Sequence, residues 1–155
     1  MAAAPHLYVD ADACPVKPEV FRVAERHSLH VTLVAGAWMR IPADERIHLE
    51  VVDQGFDAAD DWIAEHVQAG DVVVTADIPL ASRCLAKGAA AIGTSGRPFT
   101  SENIGDAMAT RALLSDLRGA GEMTKGPAAF TPRDRSRFLQ ALEDAIQASL
   151  RRARE

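Results

Sequence analysis

The chain is poor in the residues that would place it quickly in a class. It has two cysteines in 155 residues, Cys14 and Cys84, in no C-x-x-C or paired spacing, which argues against a disulfide framework and a cysteine-based zinc site. Both are read as free thiols. His27, His30, His48 and His66 show no metal-ligand spacing and receive no role. No apolar run approaches the ~20 residues of a membrane span, and Met1 to Leu7 lacks the basic-then-apolar build of a signal peptide. The expectation is a cytoplasmic protein with no membrane partner. Basic residues are scarce early. Residues 1–80 carry 5 Lys+Arg against 14 Asp+Glu, whereas residues 81–155 carry 12 against 8. Hydrophobic content of 48% and charged content of 25% exclude disordered and fibrous classes. A chain of this length predicts one domain, residues 1–155.

What the sequence does have is acid in particular places. LYVDADACPVKPE, Leu7 to Glu19, sets Asp10 and Asp12 at the end of an apolar run and before a turn. Residues two apart on an extended strand share a face, so strand geometry persisting to Asp12 would project both carboxylates together.

Elements alternate along the chain. Leu7 to Val9 predicts a central strand. Lys17 as N-cap and Pro18 in the first turn open a helix to about Ser28. His30 to Ala35 and Ile47 to Val52 predict strands two and three, separated by a loop whose Trp38, Met39 and Ile41 could grip a partner if exposed but are expected to fold back over a core edge. Asp57 with Asp60 three residues later resembles an N-cap with an acidic third position, opening a helix ended by Gly70. Val72 to Val74 is a buried strand whose polar face reappears at Thr75 and Asp77. Pro79 starts a helix to Gly88, and Ala89 to Ile92 predicts a fifth strand. GTSGRPFT, Gly93 to Thr100, reads as a loop. A helix follows to Arg118, then a connection rich in glycine, then a helix with Thr131 as N-cap and Pro132 first. Residues from about 101 to 152 form a helical extension.

This alternation predicts an α/β fold, a mainly parallel five-stranded sheet with helices on both faces. With strand order 3-2-1-4-5, Asp10, Asp12 and Asp77 meet at the carboxyl-end crevice where the order reverses. Asp60 or Asp61, in the first turn of the intervening helix, can face the same crevice. Converging carboxylates with no histidine or cysteine cluster suit Mg²⁺ or Mn²⁺ rather than zinc. They repel one another without a cation, and the chemistry they would support is attack of metal-activated water on a phosphodiester. Lys17, Arg83, Arg97 and Asn103 lie near the expected strand ends as candidate phosphate or nucleic-acid contacts, and Thr75 is a candidate donor behind the acids. Each has a structural alternative. Asp10 and Asp12 could cap a turn, Asp60 could complete a capping box, Asp61 and the basic residues could be solvated, Asp77 could start a helix, and Cys14 is better read as a packed thiol than a nucleophile.

VDADACPVK, FDAADDWIAEHV, GDVVVTADIPLA, FTSENIG and GPAAFTPRDRSRFLQALE resemble the YaiI/YqxD family of bacterial proteins across nearly the whole chain. That family looks like a branch of the PIN-like nuclease fold. The resemblance implies a three-layer PIN-like domain with site acids at Asp10, Asp60 and Asp77; Asp12 and Asp61 are additional to a minimal PIN set. The expectation is a Mg²⁺- or Mn²⁺-dependent nuclease acting on RNA ahead of DNA, with Asp10, Asp12, Asp60 and Asp77 catalytic and metal-binding and Asp61 a reserve ligand. A homo-oligomer is compatible with it. Two alternatives stay open. D-A-D also resembles the haloacid-dehalogenase signature, with Asp10 as nucleophile and Asp12 as acid/base, although Cys14 departs from the Thr or Val expected there. A nucleic-acid-binding or regulatory protein without turnover is the other.

Overall fold

A computed structural model describes residues 4–12, 14–53, 57–105 and 130–153. β1 (Leu7–Asp10) leads to α1 (Lys17–His27), β2 (Val31–Ala35) and β3 (Ile47–Val51). Then come α2 (Ala58–His66), β4 (Val72–Val74), α3 (Ile78–Ala86), β5 (Ala90–Ile92), β6 (Pro98–Phe99) and the long α4 (Pro132–Ala153). The sheet runs β3-β2-β1-β4-β5-β6, with every pair parallel except the last. The expectation of five strands is therefore corrected to six in a mixed sheet, β6 extending the order at the edge. The predicted helix to Arg118 and the connection after it lie, beyond Gly105, outside the described residues.

Period-two alternation divides the core. Leu7 and Val9 point to one face, packing with Val31, Leu33, Val72 and Val74 against Val20, Val23 and Ala24 of α1 and Phe138, Leu142 and Ile146 of α4. Tyr8, Val34 and Val73 point to the other, against Ile63 and Ala64 of α2 and Leu80 and Cys84 of α3. A strand buried on both faces cannot show apolar–polar alternation, which is why β4 reads as an unbroken valine run. α4 is tied to α1 by Arg135, which donates to Glu19 Oε1 at 2.7 Å and lies over the Phe130 ring at 4.9 Å. Arg26 and His27 meet Glu143 at 2.9 and 2.7 Å.

β6 hides inside the stretch read as a loop. The Gly93 N–H donates to the Arg97 carbonyl at 2.8 Å, closing a hairpin, and Pro98 is tolerated because β6 is an edge strand. Gly96 holds the turn at φ +90°, and a Cβ there would lie 2.5 Å from the Arg137 carbonyl carbon and 2.6 Å from the Phe138 nitrogen. Glycine is thus required both by conformation and by the close approach of α4. Two caps also differ from expectation. Val16 occupies the N-cap of α1, so Lys17 is the first helical residue. Asp57 caps α2 at φ 64° without a side-chain bond, and the anticipated capping arrangement with Asp60 does not form. No helix among the described residues is long and apolar enough to cross a membrane.

Candidate active site

The acids gather where strands β1 and β4 end side by side. β1 stops at Asp10, its carboxylate half-buried, and the chain turns at exposed Asp12. Strand geometry does not reach Asp12. The two acids nevertheless line one cleft, because the Gly36 N–H after β2 donates to Asp12 Oδ2 at 3.1 Å and draws the turn over the strand ends. Thr75, 1% exposed, follows β4 and extends its pairing through a bond from its N–H to the Ile92 carbonyl at 3.0 Å. Its hydroxyl donates to Asp10 Oδ2 at 3.0 Å and accepts from the Asp77 N–H at 2.9 Å. One buried hydroxyl so links the ends of β1 and β4. Asp77 caps α3, its Oδ1 accepting from the Leu80 N–H at 2.9 Å. The helix-start role weighed for Asp77 is real, and it fixes the carboxylate beside the other acids.

The cleft, about 420 Å³, is lined by Asp10, Asp12, Asp53, Asp57 and Asp60, with Gly36, Ala37, Val52, Ala58 and Ala59 completing its wall. None of these is basic. Asp77 does not line the cleft, but its charge acts on both Asp60 and Asp10. The electrostatic consequence is large at Asp60, whose pKa rises from 3.8 to about 7. Burial is the main cause, followed by the charges of Asp77 and Asp10, a hydrogen bond with Asp77 and the charge of Asp57. Burial also raises Asp10, opposed by the Thr75 hydrogen bond and reinforced by Asp77 and Asp12.

The other candidates fall away from the cleft wall. Asp61 accepts from Arg83 at 2.7 Å, in an exposed pair that ties α2 to α3. Lys17 donates from Nζ to the Cys14 carbonyl at 3.1 Å. The Asn103 side chain accepts from the Thr100 N–H at 2.9 Å and donates to the Pro98 carbonyl at 3.1 Å, bracing the segment after β6. Arg97 is exposed in the β5–β6 turn. Cys14 and Cys84 are buried, and burial raises both thiols, Cys84 to about 11. These are packed side chains rather than nucleophiles.

A profile described as "Uncharacterized BCR, YaiI/YqxD family" matches residues 8–148. The chain belongs to the YaiI/YqxD family. The matched span contains every residue of the cleft wall. Similar relatives are UPF0178 proteins. One from Rhodopseudomonas palustris is 60% identical, covering 94% of this chain and 92% of the relative. Another, from Azorhizobium caulinodans, is 60% identical over 90% and 88%. A third, from Bradyrhizobium diazoefficiens, is 56% identical over 94% and 87%. No solved structure matches.

Among the described residues of this YaiI/YqxD chain, no three His, Cys, Asp or Glu side chains stand close enough to enclose an ion by themselves. Zinc, which wants a closed set of nitrogen and sulfur ligands, fits this site poorly. Mg²⁺ and Mn²⁺ fit it better: they take hard oxygens, and Mg²⁺ usually keeps several waters, binding through one or two carboxylates plus substrate phosphate. One or two of Asp10, Asp60 and Asp77 would hold such an ion, with water and phosphate oxygens completing its shell and Asp12 at the outer wall. Sequence reading missed Asp53 and Asp57 as parts of the cleft. A signal for Asp53 existed: it lies two residues beyond the end of β3, at the same carboxyl edge as Asp10.

Proposed function

We propose that this protein is a Mg²⁺- or Mn²⁺-dependent nuclease that hydrolyses phosphodiester bonds, RNA ahead of DNA, at the carboxylates of Asp10, Asp60 and Asp77. The observation that carries the reading is the meeting of acids from separate elements at the carboxyl edge of the sheet: Asp10 at the end of β1 and the Asp77 cap of α3 are joined through the Thr75 hydroxyl, and Asp60 of α2 lies near enough that burial and their charges raise its pKa. Three separate elements press negative charge onto one point, an arrangement unfavourable by itself and relieved by a cation. Strongly shifted acids in a cleft are functional-site candidates on physical grounds. The resemblance of the acid-bearing motifs to PIN-like nucleases supports the same choice of chemistry, and the preference for RNA rests on that resemblance.

A bound divalent ion supplies a water of lowered pKa and neutralises charge developing on the phosphate. The protein's own part is positional. Thr75 fixes the Asp10 carboxylate from behind, the α3 cap fixes Asp77, and the bond from Gly36 fixes Asp12 at the mouth. Burial and the neighbouring charges raise Asp60 to about 7, so this carboxylate ionises near neutral pH.

The test is cleavage of end-labelled RNA and DNA strands in Mn²⁺. Wild-type protein is expected to cut, whereas Asp10→Asn and Asp77→Asn lose at least ~100-fold in rate with circular dichroism unchanged. Undiminished cleavage in both purified variants would contradict the reading.

A further inference from the structure

The acid cleft has one lip that is neither acidic nor polar. The large hydrophobic side chains left exposed among the described residues are Trp38, 76% exposed, and Val51, 45% exposed. Both stand at the carboxyl edge of the sheet. Val51 ends β3 paired to Ala35, the end of β2, and Trp38 follows three residues after Ala35. Their neighbours Ala37 and Val52 line the cleft itself. Met39 and Ile41, in the same loop, fold onto the core as expected from sequence. Trp38 does not, which corrects the expectation that all three would. A loop anchored by two apolar residues and turning its largest one outward presents a flat face on a fixed base.

We infer that Trp38 is a stacking platform for an unpaired nucleobase, so that the cleft takes single-stranded nucleic acid in preference to duplex. The inference deepens the nuclease reading and rests on it for the substrate class. An indole face accepts any base, because every base has a π-face, and such stacking is worth enough to matter in single-strand binding. The cleft wall carries five aspartates and no basic residue. A duplex would bring two phosphate backbones toward that wall with its bases hidden in the stack. A single strand can instead turn a base onto Trp38 and set one phosphate at the acids. Arg40, exposed two residues further along the same loop, is a basic group available to a neighbouring phosphate. The other tryptophan is already occupied, Trp62 stacking on the His66 ring at 3.7 Å.

The experiment measures binding of a fluorescein-labelled single-stranded oligoribonucleotide by anisotropy to protein with native Asp77, with Ca²⁺ in place of Mn²⁺ as the hard cation and the strand checked on a gel to be uncut. The same strand annealed to its complement serves as the duplex arm. Trp38→Ala is expected to weaken single-strand binding ~10-fold and Trp38→Phe to recover most of it, with duplex binding already weak and unchanged. One abasic position in the strand should reproduce the loss, and Trp38→Ala should add nothing further to it. Equal affinity with and without Trp38, tighter binding of duplex than single strand, or no binding by the parent protein would each overturn the inference. Cleavage separates the two claims. Trp38-dependent binding with no cutting in Mn²⁺ removes the hydrolytic reading and keeps this surface. Cutting whose KM is unmoved by Trp38→Ala keeps the hydrolytic reading and removes the surface.

Discussion

Asp60 is the residue on which the electrostatics of the cleft converge. Its folded pKa, about 7, lies above the ordinary carboxylate value of 3.8. The native state therefore holds a proton that the unfolded chain has released between those values. Stability associated with Asp60 is fully present below about pH 4 and is lost as pH rises through about 7. Two outcomes follow for thermal unfolding. In EDTA at pH 8, Asp60→Asn is expected to be more stable than wild type by roughly 1 kcal/mol, the repulsion being discounted for the partial exposure of the group. With Mn²⁺ the order reverses, since only wild type gains from ion binding. Asp60→Asn no more stable than wild type in EDTA at pH 8 would mean that the acids do not press on one another as described. Such a residue is a familiar compromise, in which a site costs the fold stability that a substitution could recover.

At the level of elements, the strand ends do the positioning. Thr75 bridges β4 to β1, and the Asp77 cap starts α3, so Asp10 and Asp77 are held to the strand ends. The hairpin to β6 closes the other end of the sheet, where Gly96 meets the α4 backbone. Gly96→Ala is expected to destabilise by ~1–3 kcal/mol in urea unfolding, through both the positive φ and the clash. A neutral result would show that α4 does not approach the turn this closely. These elements were unequally legible. β1, β4 and their terminal acids could be read because a short apolar run followed by spaced acids is a local signal. β6 could not, because two residues in a turn-rich stretch carry no period. The Asp57 cap misled because a capping pattern in sequence says nothing of the backbone angle, here φ 64°, that determines whether the side chain can reach back. Asp61 looked equivalent to Asp60 until its partner Arg83, 22 residues away, was placed. Nor could the sequence separate exposed Trp38 from Met39 and Ile41, which pack on the core from the same loop.

Across the whole molecule, the uneven charge of the sequence becomes a geometric fact. Five of the first half's acids line the crevice at the β1–β4 reversal, the place where open α/β sheets commonly bind ligands. Basic residues of the second half are partly spent on structure, Arg135 holding buried Glu19 and Arg83 holding Asp61. A phosphate-bearing partner would therefore depend on an ion in the cleft more than on a basic surface. The measurement that tests this most directly is anomalous diffraction from crystals soaked in Mn²⁺ at pH 8. The account predicts a manganese peak bounded by the Asp10, Asp60 and Asp77 carboxylates, absent from Asp77→Asn crystals treated alike. A cleft without manganese, or manganese bound only at Asp53 and Asp57, would contradict it.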